Sequence, residues 1–531
     1  MSYGSFFNGQ CSMEGLFTVI LYLTLIGILY LLIFSRKELK KLFKIKKIIW
    51  LLLIILSILS IIISIKSSPF TDYYDSTTLV MLGNANQYTE SNFPNVCGDR
   101  AKGYPLLIGL VFKFIDLNYN TLIFLNTFVH AINIIIFFIL LKTIFKNEKL
   151  AITGCILYLL NINILRYVSV PSVNPFLFLF SMLSFLFFFL SNNKIKNVIL
   201  CILFFSFTHY IRAEFLPVSL FFIFILIYKT KKINNKNKLL LVIFALLLAA
   251  PSFLFLKDLT PLVDKVVIND TYELGPNSNH LFTFGRLFYN AHYFIFIYYK
   301  ILLGFGFLLI PFVIGLFQFT SRVNYYRYGE SIKFLAIWFI LQNLPYIISR
   351  VNSNYLFIAF LPFIILMSFF IFLGLKKIFL VTTNILKSNK LFSRVFFIFI
   401  LFIFFFGTIK TLNTVIINKF NIPQGEIIKE IIYEIDHLEL GSHIILDSHA
   451  IKGYARAVNH NYISDNDLDI NYIENLLAED KIIYLYLYNV SGSNFHKRFM
   501  INSEKKLRNN FNLKLIESKQ HIDIYRVLLK Y

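Results

Sequence analysis

The chain has 531 residues, of which 57% are hydrophobic, 18% aromatic and only 15% charged, with a mean hydropathy of +0.67. Soluble domains are about 45 to 50% apolar on a similar count, so this composition excludes an ordinary water-soluble globule and makes the lipid bilayer the solvent. The net charge of +22 does not mark a nucleic-acid binder: from Phe420 onward 13 basic residues meet 15 acidic ones, so the first 419 residues, with their apolar runs, hold an excess of +24.

Apolar stretches of about 17 to 25 residues, the length a helix needs to cross roughly 30 Å of hydrocarbon, recur from Gly15 to Thr411. They predict an α-helical polytopic membrane protein with about twelve spans, at 15–34, 48–65, 120–141, 150–168, 173–191, 197–210, 214–228, 239–256, 301–319, 332–348, 355–375 and 395–411. The sixth and seventh of these are short. The start, Met1 to Gly15, has no Lys or Arg and the first span is followed by a dense basic run, the pattern of an uncleaved anchor whose start lies outside.

Basic residues gather between spans one and two (Arg36, Lys37, Lys40, Lys41, Lys44, Lys46, Lys47), seven and eight (Lys229, Lys231, Lys232, Lys236, Lys238), and eleven and twelve (Lys376, Lys377, Lys387, Lys390, Arg394). With alternating spans these turns share one side, which the positive-inside rule makes cytoplasmic. Both termini and two large loops, 66–119 and 257–300, are then extracytoplasmic. The second loop contains "FYNAHYFIFIYYK", of interfacial-belt composition; an amphipathic segment lying on the surface and a cover over an acceptor site are its two readings, and Asp270, Glu273 and Arg286 receive no role.

The first loop carries the most polar stretch, "TDYYDSTTLVMLGNANQY" followed by "RAKGYP". Asp72 and Asp75 follow a span end, where apolar surroundings raise a carboxylate's pKa toward that of a usable base. Two readings stay open for them: a general base, or the N-cap of a helix starting near "DSTTLVML". In "THYIRAEFLP", His209, Arg212 and Glu214 interrupt two apolar runs, as groups facing a cavity or one another do. An internal Arg212–Glu214 pair and a phosphate contact remain alternatives there, and His209 has no ligand cluster around it in sequence that would mark a metal site.

Cys155 and Cys201 fall within spans. Cys11 and Cys97 fall outside the membrane, and the spacing leaves a bridge and two free thiols both open.

From about residue 420 to 531 the texture changes to a small α/β domain. "HIILDSH", "KIIYLYLYNV", "LKLIES" and "IDIYRVLL" read as strands, alternating with helical "GEIIKEIIYEIDHL", "DINYIENLLAED" and "SEKKLRNNF". It has no Gly-rich phosphate fingerprint.

The arrangement "DSTTLVMLGN … RAKGYPLLIGLVFKF" resembles the first extracytoplasmic loop of the C-type polytopic glycosyltransferases, which include the dolichyl-phosphate-mannose protein mannosyltransferases and the lipid A aminoarabinose transferase. Asp75 and Gly103, Tyr104, Pro105 match, Arg100 lies just upstream, and Asp72 is the alternative match for the aspartate. The similarity extends through "NTLIFLNTFVHAINIIIFFILLKTIF" to about residue 220 and more loosely to "SRVNSNYLFIAFLPF". Two features depart from the family: Asn174 stands where many relatives carry an acid, and an extra span precedes the usual first helix.

The resemblance implies transfer of a sugar from a polyprenyl-phosphate donor in the bilayer to a lipid, glycan or protein acceptor at the outer face. By analogy with inverting hydrolases, one carboxylate then serves as base. The departing phosphate calls for fixed positive charge, for which Arg100, Lys102, Arg212 and Arg350 are the outward-facing candidates. Tyr104, His209, Glu214 and Asn174 are candidate acceptor contacts or structural residues, and a divalent metal stays open. The competing readings are a transporter or flippase of lipid-linked saccharides and a polysaccharide polymerase. The chain lacks the internal repeat that a transporter often shows.

Overall fold

The computed structural model describes residues 3–36, 40, 42–66, 103–115, 119–161, 164, 172–191, 195–212, 215–230, 233–269, 298, 306–348, 360–385, 395 and 398–399, and in the C-terminal part 434–435, 437–439, 441–445, 461–463, 469–488, 506–518 and 522–530. Among the described residues the first part holds twelve α-helices: α1 Tyr3–Phe34, α2 Lys47–Lys66, α3 Gly103–Phe112, α4 Tyr119–Phe145, α5 Glu148–Leu159, α6 Asn174–Leu190, α7 Ile195–Ile211, α8 Leu216–Lys229, α9 Asn235–Asn269, α10 Leu309–Phe319, α11 Arg322–Ile348 and α12 Phe360–Ile385. Long runs of Phe, Leu and Ile become helices because hydrocarbon offers no partner to the backbone, so each N–H and C=O must be satisfied within the segment. Stretches of α4, α9 and α12 are each long and apolar enough to cross a bilayer. The chain is an integral membrane protein.

Helices occur where ten of the eleven expected spans before residue 395 fall, with shifted ends: α1 starts earlier, α9 runs on to Asn269, and α5 stops at Leu159. The expected span 395–411 and the domain boundary at 420 lie largely outside the described residues. Within the expected loop 66–119 the described residues include a helix, α3, whose Tyr104, Leu106, Ile108 and Phe112 are buried. One expectation needs correction. The segment 301–319 is not one straight crossing: Gly306 has φ +53°, a conformation glycine adopts without steric cost, and a 3-10 turn at Gly306–Leu308 leads into α10.

Strict alternation would also run α10 and α12 in the same direction. They pack antiparallel instead, with Gly315 against the Phe370 carbonyl and Gly374 against the Pro311 carbonyl. Where glycine leaves no Cβ between two backbones, helices approach closely enough for Cα–H···O contacts.

Aromatic packing fixes the bundle centre. Phe185 of α6 meets Phe205 of α7 (5.1 Å between ring centroids), Phe222 of α8 (4.9 Å) and Trp338 of α11 (3.5 Å, stacked). At one end lie the basic turns. Between α4 and α5, Lys146 turns the chain at φ +52°, Asn147 Oδ1 caps α5 by accepting from the amides of Lys149 and Leu150, and Lys142 pairs with Glu148 at 2.8 Å.

The C-terminal part holds a five-stranded sheet ordered β2-β1-β3-β5-β4 and a helix, α13 (Ile470–Ala478), capped by Asp469. The strands are β1 His443–Ile445, β2 Asn461–Ile463, β3 Ile483–Tyr488, β4 Phe511–Ser518 and β5 Ile522–Leu529. β1 pairs parallel with β2 and β3, whereas β5 pairs antiparallel with β3 and β4. β2 was unexpected, because three residues are too few to show a period of two. In β3, Ile483 and Leu485 join the apolar cluster with α13, while Tyr484 and Tyr486 face the other way into a cluster continuous with the helical bundle. Burial pushes the Tyr486 phenol pKa up, and the nearby Glu434 charge pushes it further.

Candidate active-site recess

The helix ends opposite the basic turns do not share one level. Asn133 of α4 donates from Nδ2 to the Pro175 carbonyl at 2.8 Å, so α6 begins level with Asn133. The part of α4 before it, from Tyr119 to Ile132, therefore rises about 21 Å above that point at 1.5 Å per residue. α5 ends at a similar depth, where Tyr158 stacks on His130 with 5.3 Å between centroids. α7 runs antiparallel to α6: Asn197 Nδ2 donates to the Leu190 carbonyl, Cys201 Sγ to the Ser184 carbonyl, and Phe180 meets Phe207 at 4.6 Å between centroids, a register that brings Ile211 close to the start of α6. The result is a recess beside the upper part of α4, with Arg212 on its floor.

α3 lies in this recess. A Cβ on Gly103 would come within 2.8 Å of the Tyr210 carbonyl carbon and 2.9 Å of the Ile211 nitrogen, so only glycine lets α3 rest on the end of α7. Tyr104 is fully buried, edge-on to Phe176 at 5.5 Å. The Gly-Tyr of the Gly-Tyr-Pro element thus clamps α3 onto the ends of α6 and α7. Lys102 immediately precedes this contact in the chain and Arg212 immediately follows it. Gly103→Ala is expected to push α3 off the end of α7 at a cost of about 1 to 3 kcal/mol, measured as a lowered midpoint in a thermal melt.

Arg212 is buried, 7% exposed, and its amide donates to the Thr208 carbonyl at 3.0 Å, which carries the α7 ladder one residue further. His209 is held on the neighbouring helix: its Nδ1 lies 2.6 Å from Ser252 Oγ, and the Tyr210 hydroxyl donates to the Leu248 carbonyl. His209 thus ties α7 to α9. Among the described residues no group of three or more His, Cys, Asp or Glu is placed to hold a metal. Asn174 is buried at the start of α6, its amide accepted by Ser172 Oγ at 3.2 Å and its Oδ1 without a partner among the described residues.

Of the sequence-derived candidates, Tyr104, Asn174, His209 and Arg212 gather around the recess. Asp72, Asp75, Arg100, Lys102, Glu214 and Arg350 lie outside the described residues, as does Cys97, while Cys155 and Cys201 are buried and free. Several buried polar residues of the surrounding helices were not singled out from sequence: Asn126, His130 and Asn133 on one face of α4, Ser181 on α6 and Gln342 on α11. The i, i+4, i+7 spacing of the α4 set within an apolar run was the available signal.

No protein-family model matches the sequence, and no curated protein matches it. The crystal structure of ArnT from Cupriavidus metallidurans bound to undecaprenyl phosphate is similar in fold, with a TM-score of 0.52 at 10% identity over 91% of this chain and 98% of that one. The apo structure of the same protein aligns with a TM-score of 0.47 at 11% identity over 90% of this chain and 97% of that one. Across nine-tenths of its length the chain shares the architecture of ArnT.

Proposed function

We propose that the chain is a membrane glycosyltransferase that moves a sugar from a polyprenyl-phosphate donor to an acceptor hydroxyl at the extracytoplasmic face, with inversion. The observation that carries this reading is the recess, where the Gly-Tyr-Pro helix is clamped beside Arg212 within a fold that in ArnT accompanies bound undecaprenyl phosphate. A lipid phosphate entering from the bilayer meets a buried guanidinium near the start of α6 and well below the start of α4, where low dielectric strengthens the attraction.

In the proposed reaction Asp75, with Asp72 as the alternative, takes the proton of the acceptor hydroxyl as its oxygen attacks the anomeric carbon. The carbon–oxygen bond to the phosphate breaks, and the phosphate leaves with the electron pair, stabilised by Arg212 and by the cations Arg100, Lys102 and Arg350. The soluble sheet domain sits on the same outer side.

The test supplies purified full-length protein in nanodiscs with a panel of radiolabelled undecaprenyl-phosphate sugars. Label is expected to leave the lipid for water or an added acceptor with at least one donor. Label that stays on the lipid throughout in nanodiscs, but crosses the bilayer with its lipid intact when the protein is placed in sealed proteoliposomes, would favour a carrier instead.

A further inference from the structure

Arg212 stands one residue beyond the end of α7. The last carbonyls of a helix have no partner within it, so this is the turn at which α7 would fray. Along the chain it is held by the Arg212 amide on the Thr208 carbonyl and by the Phe215 amide, which donates to the Arg212 carbonyl at 3.0 Å. From the side it is held by α9. His209 and Ser252 are 1% and 0% exposed, and Nδ1 of His209 lies 2.6 Å from Ser252 Oγ. The same serine hydroxyl donates to the His209 main-chain carbonyl at 3.4 Å, one of the end groups that α7 itself leaves unmatched. Ser252 is therefore a helix cap supplied by another helix.

The place of this tie on α9 has its own cause. Pro251 offers no N–H to the Leu247 carbonyl, and membrane helices tolerate such a break where neighbouring helices and Ser or Thr side chains supply hydrogen bonds. Leu248 and Ser252 bracket the proline, and they are the two residues that α7 engages: the Tyr210 hydroxyl donates to the Leu248 carbonyl, and His209 meets Ser252.

His209 and Arg212 are three residues apart and so are neighbours on one face of the final turn. Fixing His209 fixes the main chain from which the arginine side chain springs, and Gly103 against Tyr210 and Ile211 sets α3 on that same turn. A long guanidinium side chain binds an anion well only when its base is held, because otherwise the ordering cost falls on the binding step. Building on the phosphate contact given to Arg212 under Proposed function, we propose that His209 and Ser252 are positioning residues for that guanidinium, their hydrogen bond holding the end of α7 so that Arg212 meets the lipid phosphate from a fixed base.

Full-length protein in nanodiscs is titrated with undecaprenyl phosphate and with undecaprenol, which has the same chain and no anion. The wild type is expected to prefer the phosphate lipid, and Arg212→Gln to lose that preference. Ser252→Ala should weaken binding of the phosphate lipid about tenfold, leave undecaprenol binding unchanged, and add no further loss in an Arg212→Gln background. His209→Asn, whose amide can place a polar atom where Nδ1 stands, should keep most of the preference. His209→Gln, whose amide reaches past that point, carries the test if Ser252→Ala does not fold. An unchanged preference in Arg212→Gln or in Ser252→Ala overturns the positioning role and leaves the lipid-donor reading standing. So does equal weakening toward both lipids, a loss that persists without Arg212, or a loss in His209→Asn as large as that in Ser252→Ala. A wild type that binds undecaprenol as tightly as undecaprenyl phosphate overturns both.

Discussion

Asp75→Asn is expected to lower sugar transfer by about 10²- to 10⁴-fold, the span a positioned general base contributes, while the protein stays in the membrane and still binds polyprenyl phosphate. An amide matches a carboxylate in shape but cannot take up the acceptor's proton, so the loss should fall on turnover rather than on donor affinity. If the alignment with the family is displaced by one short step, the same loss moves to Asp72→Asn and Asp75→Asn becomes mild. Single-turnover transfer of label from a preloaded donor separates the two. Unchanged rates in both single variants and in the double variant would remove the carboxylates from the mechanism.

The second large effect concerns the bundle itself. Gly315→Ala and Gly374→Ala each place a methyl group on a main-chain carbonyl of the opposing helix, Phe370 and Pro311 respectively. A flexible side chain steps aside for a new methyl, but a hydrogen-bonded backbone does not, so the cost should reach the upper end of the overpacking range, about 3 kcal/mol for each. Gly329→Ala is the control: its Cβ would meet the Tyr325 ring at 3.7 Å, an ordinary contact, and losing a helix-interior glycine gains about 1 kcal/mol. The measurement is heat-induced exposure of the buried thiols of Cys155 and Cys201 in a Cys11→Ser, Cys97→Ser background. Equal melting of Gly374→Ala and Gly329→Ala would show that α10 and α12 have room to separate.

Much of the fold was legible in composition and period. Apolar length places most helices because hydrocarbon tolerates little else, and the alternation in "KIIYLYLYNV" shows β3 with its two differently occupied faces. Where the reading fell short, the deciding interaction was between segments distant in sequence. The turn at Gly306 and the reversed direction of α10 depend on packing against α12, and β2 depends on its pairing with β1.

The site divides in the same way. Gly103 and Tyr104 stood out because they belong to a short recognisable element, and Arg212 because it interrupts apolar text. Asn126, His130 and Asn133 did not, since single polar residues in an apolar run are unremarkable until the packing of α4 against α5 and α6 sets them beside the start of α6. The shortness of the sixth and seventh expected spans was the trace of the recess in the sequence, because a short helix cannot carry both its ends to the bilayer surfaces.

The depth of Arg212 bears on how the protein meets changing ionic strength. Small counterions crowd an open headgroup plane and weaken electrostatic capture there within about 8 Å at physiological salt, but a guanidinium walled by hydrocarbon is screened far less. Added sodium chloride should therefore slow the first encounter of an anionic lipid with the protein's rim while barely loosening its grip once the headgroup has descended.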